Sequence, residues 1–178
     1  MNEIIKPTVA GMRKDGVPFS GFLYAGLMID SDGNPRTLEF NTRLGDPEAQ
    51  PILMRLKSDL FDVLMAATEG TLDQVELQWD RSFALGVVMA AAGYPEAPQK
   101  GAAIKGVPAP VDDLVVFHAG TAWDGQRLSV SGGRVLCVTA LGVTIKAAQQ
   151  RAYEGLAGIR FDGAQYRTDI GYRALLRK

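Results

Sequence analysis

The sequence predicts an α+β fold in two parts. Residues 1–80 read as helices around an antiparallel hairpin, and residues 81–178 as a small, mostly antiparallel β domain with one helix. Three observations carry this. The apolar runs Phe22 to Ile29 and Thr37 to Asn41 flank a dense turn cluster, Asp30-Ser31-Asp32-Gly33-Asn34-Pro35, which is hairpin patterning. Beyond Gln78–Ser82 the pattern shifts to short apolar runs separated by glycine turns. Within that second part, Thr144 to Leu156 keeps a helical stripe of Ile145, Ala148, Ala152 and Leu156.

The elements follow in order. Residues 3–14 read as a helix with Ile4, Ile5, Val9 and Met12 near one face. Pro7 restricts where its first turn begins, and Asp15-Gly16-Val17-Pro18 ends it. The hairpin occupies residues 22–41. Pro51 lies near the start of a short helix, Ile52 to Leu56. Ser58 or Asp59 caps a second helix, whose stripe of Leu60, Val63, Leu64 and Ala67 runs to a stop at Gly70. Phe83 to Ala91 reads as a strand closed by Gly93-Tyr94-Pro95. Residues 95–113, rich in Pro, Gly and Ala, read as a surface loop. Leu114 to His118, Arg127 to Val130 and Arg134 to Thr139 read as strands. Trp123-Asp124-Gly125-Gln126 and Ser131-Gly132-Gly133 form the turns between them. After the helix the chain returns through Phe161, Tyr166 and Ile170.

Composition excludes several functions. The 178 residues are 47% apolar and 22% charged, as in ordinary soluble globular domains. A net charge of −1 offers no electrostatic case for nucleic acid or membrane binding. The charge is unevenly spread, with net −6 over residues 1–80 and net +5 over residues 81–178. One cysteine, Cys137, excludes an internal disulfide and a cysteine-based zinc site. In the run Val135-Leu136-Cys137-Val138 it reads as a buried small hydrophobe, and the single His118 reads as structural. There is no signal-type leader and no run of roughly 18 apolar residues, so a cytoplasmic protein is expected. Walker, Gly-x-Gly-x-x-Gly and Gly-x-Ser-x-Gly motifs are absent from the sequence.

The segment from Leu38 to Gln50 carries the chemistry. Residues two apart on a strand share a face, so Glu39 and Asn41 project together as two hard oxygen ligands. Mg²⁺ takes such ligands, usually one or two carboxylates plus substrate phosphates. The pair also fits a solvated carboxylate beside a turn-forming amide. Arg43 suits a bidentate grip on a carboxylate or phosphate, or a surface ion pair of little consequence. Asp46-Pro47-Glu48 fits a turn and helix start, with Asp46 as cap and Glu48 near the helix N-terminus. The density of charge between an apolar strand and a helix favours a site.

The chain resembles a known family at this point. Gly21-Phe22-Leu23-Tyr24-Ala25-Gly26-Leu27-Met28, Asp32-Gly33-Asn34-Pro35, and Glu39-Phe40-Asn41 through Gln50 are similar to phosphoribosylamine–glycine ligase (glycinamide ribonucleotide synthetase), one of the ATP-grasp ligases. The likeness continues through Lys57-Ser58-Asp59-Leu60, Gly86 to Ala91, Phe117 to Thr121, Gly132 to Gly142 and Asp169-Ile170-Gly171-Tyr172-Arg173. Leu44 stands where Phe is usual, and Ala49 where Thr or Ser is common.

The resemblance implies that residues 1–80 are the C-terminal part of an ATP-grasp domain and residues 81–178 the small C-terminal domain. It implies ATP as co-substrate and Mg²⁺ or Mn²⁺ held by Glu39 and Asn41. It also implies ligation of glycine to 5-phosphoribosylamine through a glycyl phosphate, in purine synthesis. Arg43 would be the catalytic and glycine-binding residue, and Gly45, Asp46 and Glu48 would help to bind substrate. The family's N-terminal domain and ATP-clamping lobe have no counterpart here, so the chain alone is expected to be inactive. The competing expectation is a non-catalytic module that completes a partner chain.

Overall fold

The structure is a computed structural model and describes residues 1–176. In chain order the elements are α1 (Ile5–Lys14), β1 (Tyr24–Ile29), β2 (Pro35–Asn41), α2 (Ala49–Arg55), α3 (Leu60–Glu69), a 3₁₀ turn (Leu72–Gln74), β3 (Phe83–Ala90), β4 (Leu114–His118), β5 (Thr121–Trp123), β6 (Leu128–Val130), β7 (Arg134–Gly142), α4 (Ile145–Leu156), β8 (Gln165–Tyr166) and α5 (Tyr172–Leu176). Every strand ladder is antiparallel, and the α+β expectation holds.

The first unit comprises residues 1–46 and 58–78. Its hairpin is closed by the carboxylate of Asp30, which accepts from the backbone N–H of Asn34 at 2.8 Å and of Asp32 at 3.1 Å. The Asn34 bond is the main reason that the Asp30 carboxyl titrates below its ordinary range. Gly33 takes φ 85° in that turn, a conformation open to glycine at little steric cost. The ladder pairs Tyr24 with Asn41 and Gly26 with Glu39, then resumes with Leu27 opposite Thr37. Leu38 is therefore the extra residue of a β-bulge beside Glu39. Helix α3 has the predicted ends. Asp59 accepts from Phe61 N–H at 2.7 Å, and Gly70 closes the helix in the left-handed region.

Helix α1 begins at Ile5, two residues later than predicted, with Pro7 as its third residue. The missing N–H of Pro7 falls among the four that a helix start leaves unbonded anyway. The same reasoning shifts α2. It runs over Ala49–Arg55 rather than Ile52 to Leu56, and Pro51 sits inside its first turn.

The second unit comprises residues 47–57 and 79 onward. Its sheet has the order β4-β7-β3-β8. Strand β7 is fully buried from Val135 to Ala140, with helix α4 among its packing neighbours. Thr144 caps α4 by accepting from Ala147 N–H at 3.1 Å. Ala148, Ala152 and Leu156 enter the core with Leu85, Val87, Met89 and Val138, as the helical stripe predicts. Cys137 is buried as expected, with Sγ 3.4 Å from Thr139 Oγ1. His118 Nδ1 lies 3.1 Å from Thr121 Oγ1.

Helix α2 joins this unit because its C-terminal end is stitched to the chain entering β3. Leu56 pairs with Trp79, and Arg55 Nε and Nη2 donate to the Asp80 carbonyl at 3.3 and 3.1 Å. The carboxylate of Asp80 accepts from Ser82 N–H at 2.7 Å and faces Lys57 Nζ at 3.3 Å. Those contacts, the Ser82 bond first, hold its carboxyl at about 2.

Other elements differ from the sequence reading. The stretch read as a surface loop is partly built in: Ala103 bridges to Ser129, Lys105 bridges to Arg160, and Ile104 is buried. Strand β7 extends to Gly142 because Phe83 and Ala84 pair with Gly142 and Leu141. Trp123 belongs to a short strand, and the turn starts at Asp124, whose carboxylate accepts from Gln126 and Arg127 N–H. Among the described residues no helix is long and apolar enough to cross a membrane.

Candidate active site

Strand β2 aims its two oxygen ligands as the period-2 pattern requires. Asn41 Nδ2 donates to Glu39 Oε1 at 3.0 Å, which proves that the side chains share a face. Opposite Glu39 stands Gly26, and a Cβ there would come within 3.2 Å of Glu39 Cγ. A larger residue at that position would press on the carboxylate. Glu39 is exposed and Asn41 half-buried.

The donor set fits a hard divalent cation. The internal bond uses the amide N–H of Asn41, which leaves its carbonyl oxygen and a Glu39 carboxylate oxygen to face a ligand. Among the described residues no cluster of three or more His, Cys, Asp or Glu could hold a metal by itself. That composition matches Mg²⁺, which is commonly held by one or two side chains plus phosphate oxygens rather than by an all-protein cage.

The loop after β2 places the remaining candidates. Arg43 is exposed, and its Nη1 donates to Leu44 O at 3.2 Å. The guanidinium is thus folded onto its own loop rather than onto the Glu39–Asn41 pair. Gly45 is the buried residue of the loop, while Asp46 is exposed. The residue before α2 is Glu48, with helical backbone angles and no side-chain cap bond. Asp46, Pro47 and Glu48 form the turn that leads into α2.

Sequence reasoning missed a cavity in the second unit. It measures about 430 Å³ and takes Tyr94, Arg134, Gln165, Tyr166 and Arg167 into its lining. These residues come from three separate stretches of chain, so no local motif announces them.

Residues 84–173 match the family "Phosphoribosylglycinamide synthetase, C domain", and residues 1–49 match "Phosphoribosylglycinamide synthetase, ATP-grasp (A) domain". The phosphoribosylamine–glycine ligase of Ralstonia nicotianae is 61% identical over 177 residues, which cover 99% of this chain and 42% of that protein. The ligase of the same name from Xylella fastidiosa is 56% identical over 179 residues, covering 100% of this chain and 42% of that protein. The crystal structure of phosphoribosylamine–glycine ligase from Thermotoga maritima superposes with a TM-score of 0.82 at 38% identity, over 95% of this chain and 41% of that one. The biotin carboxylase domain of 2-oxoglutarate carboxylase from Hydrogenobacter thermophilus, solved with MgADP, has a TM-score of 0.57 at 17% identity, over 79% of this chain and 31% of that one. That last likeness bears on fold alone. The chain spans about 42% of the length of the curated relatives it matches. With the C-domain family covering half of the chain and the ATP-grasp domain of the same enzyme matching its N-terminal part, the chain belongs to the phosphoribosylglycinamide synthetase (phosphoribosylamine–glycine ligase) family.

Proposed function

We propose that this chain forms the metal-bearing, C-terminal part of a cytoplasmic ATP-dependent ligase that joins glycine to 5-phosphoribosylamine. Residues 1–80 would supply the end of the ATP-grasp domain and residues 81–178 the small C-terminal domain. The carrying observation is the Glu39–Asn41 pair, locked face to face on a strand that runs directly into the Arg43–Glu48 loop.

In this reading a glycine carboxylate oxygen attacks the γ-phosphorus of ATP. The bond to ADP breaks and glycyl phosphate forms. The amine of phosphoribosylamine then attacks the acyl carbon, inorganic phosphate leaves, and the nitrogen gives up a proton as the amide forms. Such chemistry depends on positioning and on charge neutralisation at the phosphates. Glu39 and Asn41 would hold Mg²⁺ or Mn²⁺, which supplies Lewis-acid stabilisation of phosphate oxygens when bound. Arg43 would swing from the Leu44 carbonyl to bind the glycine carboxylate. Gly45 lets the loop pass through a buried position, and Asp46 and Glu48 would shape it or meet the amine substrate.

The test is a chimera that joins this chain to the matching N-terminal part of the Ralstonia nicotianae relative. We expect it to form glycinamide ribonucleotide, and Glu39→Gln to lower its turnover by about two to three orders of magnitude. Near-normal turnover at saturating Mg²⁺ removes Glu39 from the metal role. The isolated chain is expected to show negligible ligase activity, and product formed by it alone refutes that expectation. A second reading, a non-catalytic module that completes a partner chain, draws on the exposed Met28, Leu38 and Phe40 of the hairpin. An inactive chimera with intact folding favours it.

A further inference from the structure

The run Asp169-Ile170-Gly171-Tyr172-Arg173 carries part of the family likeness and lies far in sequence from the metal pair and its loop. It follows β8, a strand of two residues, so the sheet ladder ends before it. Side chains of α4 hold its backbone instead. Tyr153 Oη donates to Arg167 O at 2.7 Å and accepts from Ile170 N–H at 3.1 Å. Gln149 Nε2 donates to Ile170 O at 2.7 Å. Residues 149 and 153 are four apart and so share one face of the helix. A hydroxyl both donates and accepts, and Tyr153 uses the two capacities on the two ends of the run 167–170. Burial, first among the causes, raises its phenol above the ordinary range, so at neutral pH it keeps the proton that it donates.

The clamp governs a side chain as well as a backbone. Arg167 forks onto Asp169, Nε to Oδ1 at 2.9 Å and Nη2 to Oδ2 at 2.8 Å, and both residues belong to the clamped run. A planar two-point grip ties the guanidinium's direction to its own backbone. Arg167 lines the cavity of about 430 Å³, whereas Tyr153 and Gln149 are not among its lining residues. Just past the clamp, Gly171 takes φ 84°, and a Cβ there would come within 2.7 Å of Leu85 Cδ1. The chain therefore leaves the clamp close against the core, at a position where any larger residue would lift it.

We infer that Tyr153 and Gln149 are positioning residues: from α4 they fix the run 167–170 and thereby the direction in which Arg167 presents its guanidinium to the cavity. The kinetic half of the test rests on the ligase reading, and the exchange half does not. In the 178-residue chain, Tyr153→Phe keeps the ring and removes both phenol bonds. Amide exchange at Tyr172, whose N–H is bonded to Asp169 O rather than to the phenol, should speed by about tenfold to a hundredfold. Thr144→Ala removes the cap of the same helix at a comparable cost in stability and should leave that exchange unchanged. Equal exchange in Tyr153→Phe and the parent, or equal acceleration in both variants, overturns the clamp.

In the chimera, Arg167→Gln identifies the substrate whose KM depends on the guanidinium. Tyr153→Phe should raise the same KM by about fivefold or more with kcat little changed, and Gln149→Leu, which loses one bond, should raise it less. Added to Arg167→Gln, Tyr153→Phe should change nothing further, because a residue that acts through another has no effect once that other is gone. Thr144→Ala should leave every KM at the parent value. An equal proportional loss from Tyr153→Phe with and without Arg167, a fall in kcat alone, or indifference of every KM to Arg167→Gln overturns the inference. An inactive parent chimera removes the ligase reading, and the exchange result then decides the clamp by itself.

Discussion

Gly142→Ala should unfold the second unit far more easily than its size suggests. Gly142 ends β7 under the first turn of α4, and its backbone angles are open to alanine. The added methyl is the difficulty. It would lie 2.3 Å from Ala148 N, 2.8 Å from Ala147 C and 2.9 Å from Ala148 Cα. Carbon atoms in good contact sit about 3.5–4.0 Å apart, so the shortfall is about 1 Å. The obstructing atoms are helix backbone, so no rotamer change relieves it. Helix α4 must draw back from β7, where Ala148 and Ala152 are completely buried. A gap of about 0.5–1 Å forfeits a quarter to a half of each dispersion contact. Overpacking typically costs about 1–3 kcal/mol, and a backbone clash belongs at the upper end, near 3. For chains of this length each kcal/mol lowers the melting temperature by about 2–4 °C, giving a fall of about 6–12 °C. Differential scanning calorimetry with far-ultraviolet circular dichroism would measure it. A midpoint within 2 °C of the parent would refute the packing argument.

Gly11→Ala has the opposite sign, because nothing lies within 4 Å of the new methyl and alanine in a helix interior gains about 0.5–1 kcal/mol over glycine; slower amide exchange in α1 would show it. Asp59→Ala removes the bond to Phe61 N–H and should cost about 0.5–2 kcal/mol, read as faster exchange along α3, while unchanged exchange would deny the cap its role. Asp80 supplies a pH test. Its folded pKa is depressed to about 2 from 3.8, so its stabilising contribution is present above the higher value and lost as pH falls through the lower one. The melting difference between the parent and Asp80→Asn should be full at pH 7 and should close between those two values; a difference that persists below them would assign the effect elsewhere.

Hairpin and helix ends were legible because their causes are local. The Asp30 carboxylate bonds to N–H groups two and four residues away. Asp59 reaches Phe61, and Thr144 reaches Ala147. Glu39 and Asn41 share a face because strand geometry alternates side chains over two residues. Each rule works within one turn of chain, so reading neighbours in order is enough. The helix at Pro51 misled for an equally local reason: a proline marks the first turn of a helix without saying which of its residues it is.

Other features depend on residues far apart. The bulge at Leu38 exists because β1 and β2 differ in how they meet across Gly26, which neither strand reveals alone. Helix α2 joins the second unit through Arg55, Leu56 and Lys57 meeting Trp79 and Asp80. The two-residue strand β8 carries no periodicity, and it forms because the edge of β3 offers unpaired backbone groups.

The sequence by itself determined that a carboxylate and an amide, Glu39 and Asn41, share one face of a strand ahead of a charged loop, in a chain with the phosphoribosylamine–glycine ligase pattern. Only the tertiary structure decided where Arg43 points, which unit claims the helix beyond the loop, and that Tyr94, Arg134, Tyr166 and Arg167 line one cavity. The first set follows from backbone periodicity. The second follows from packing, because long side chains and sheet edges choose partners by distance in space.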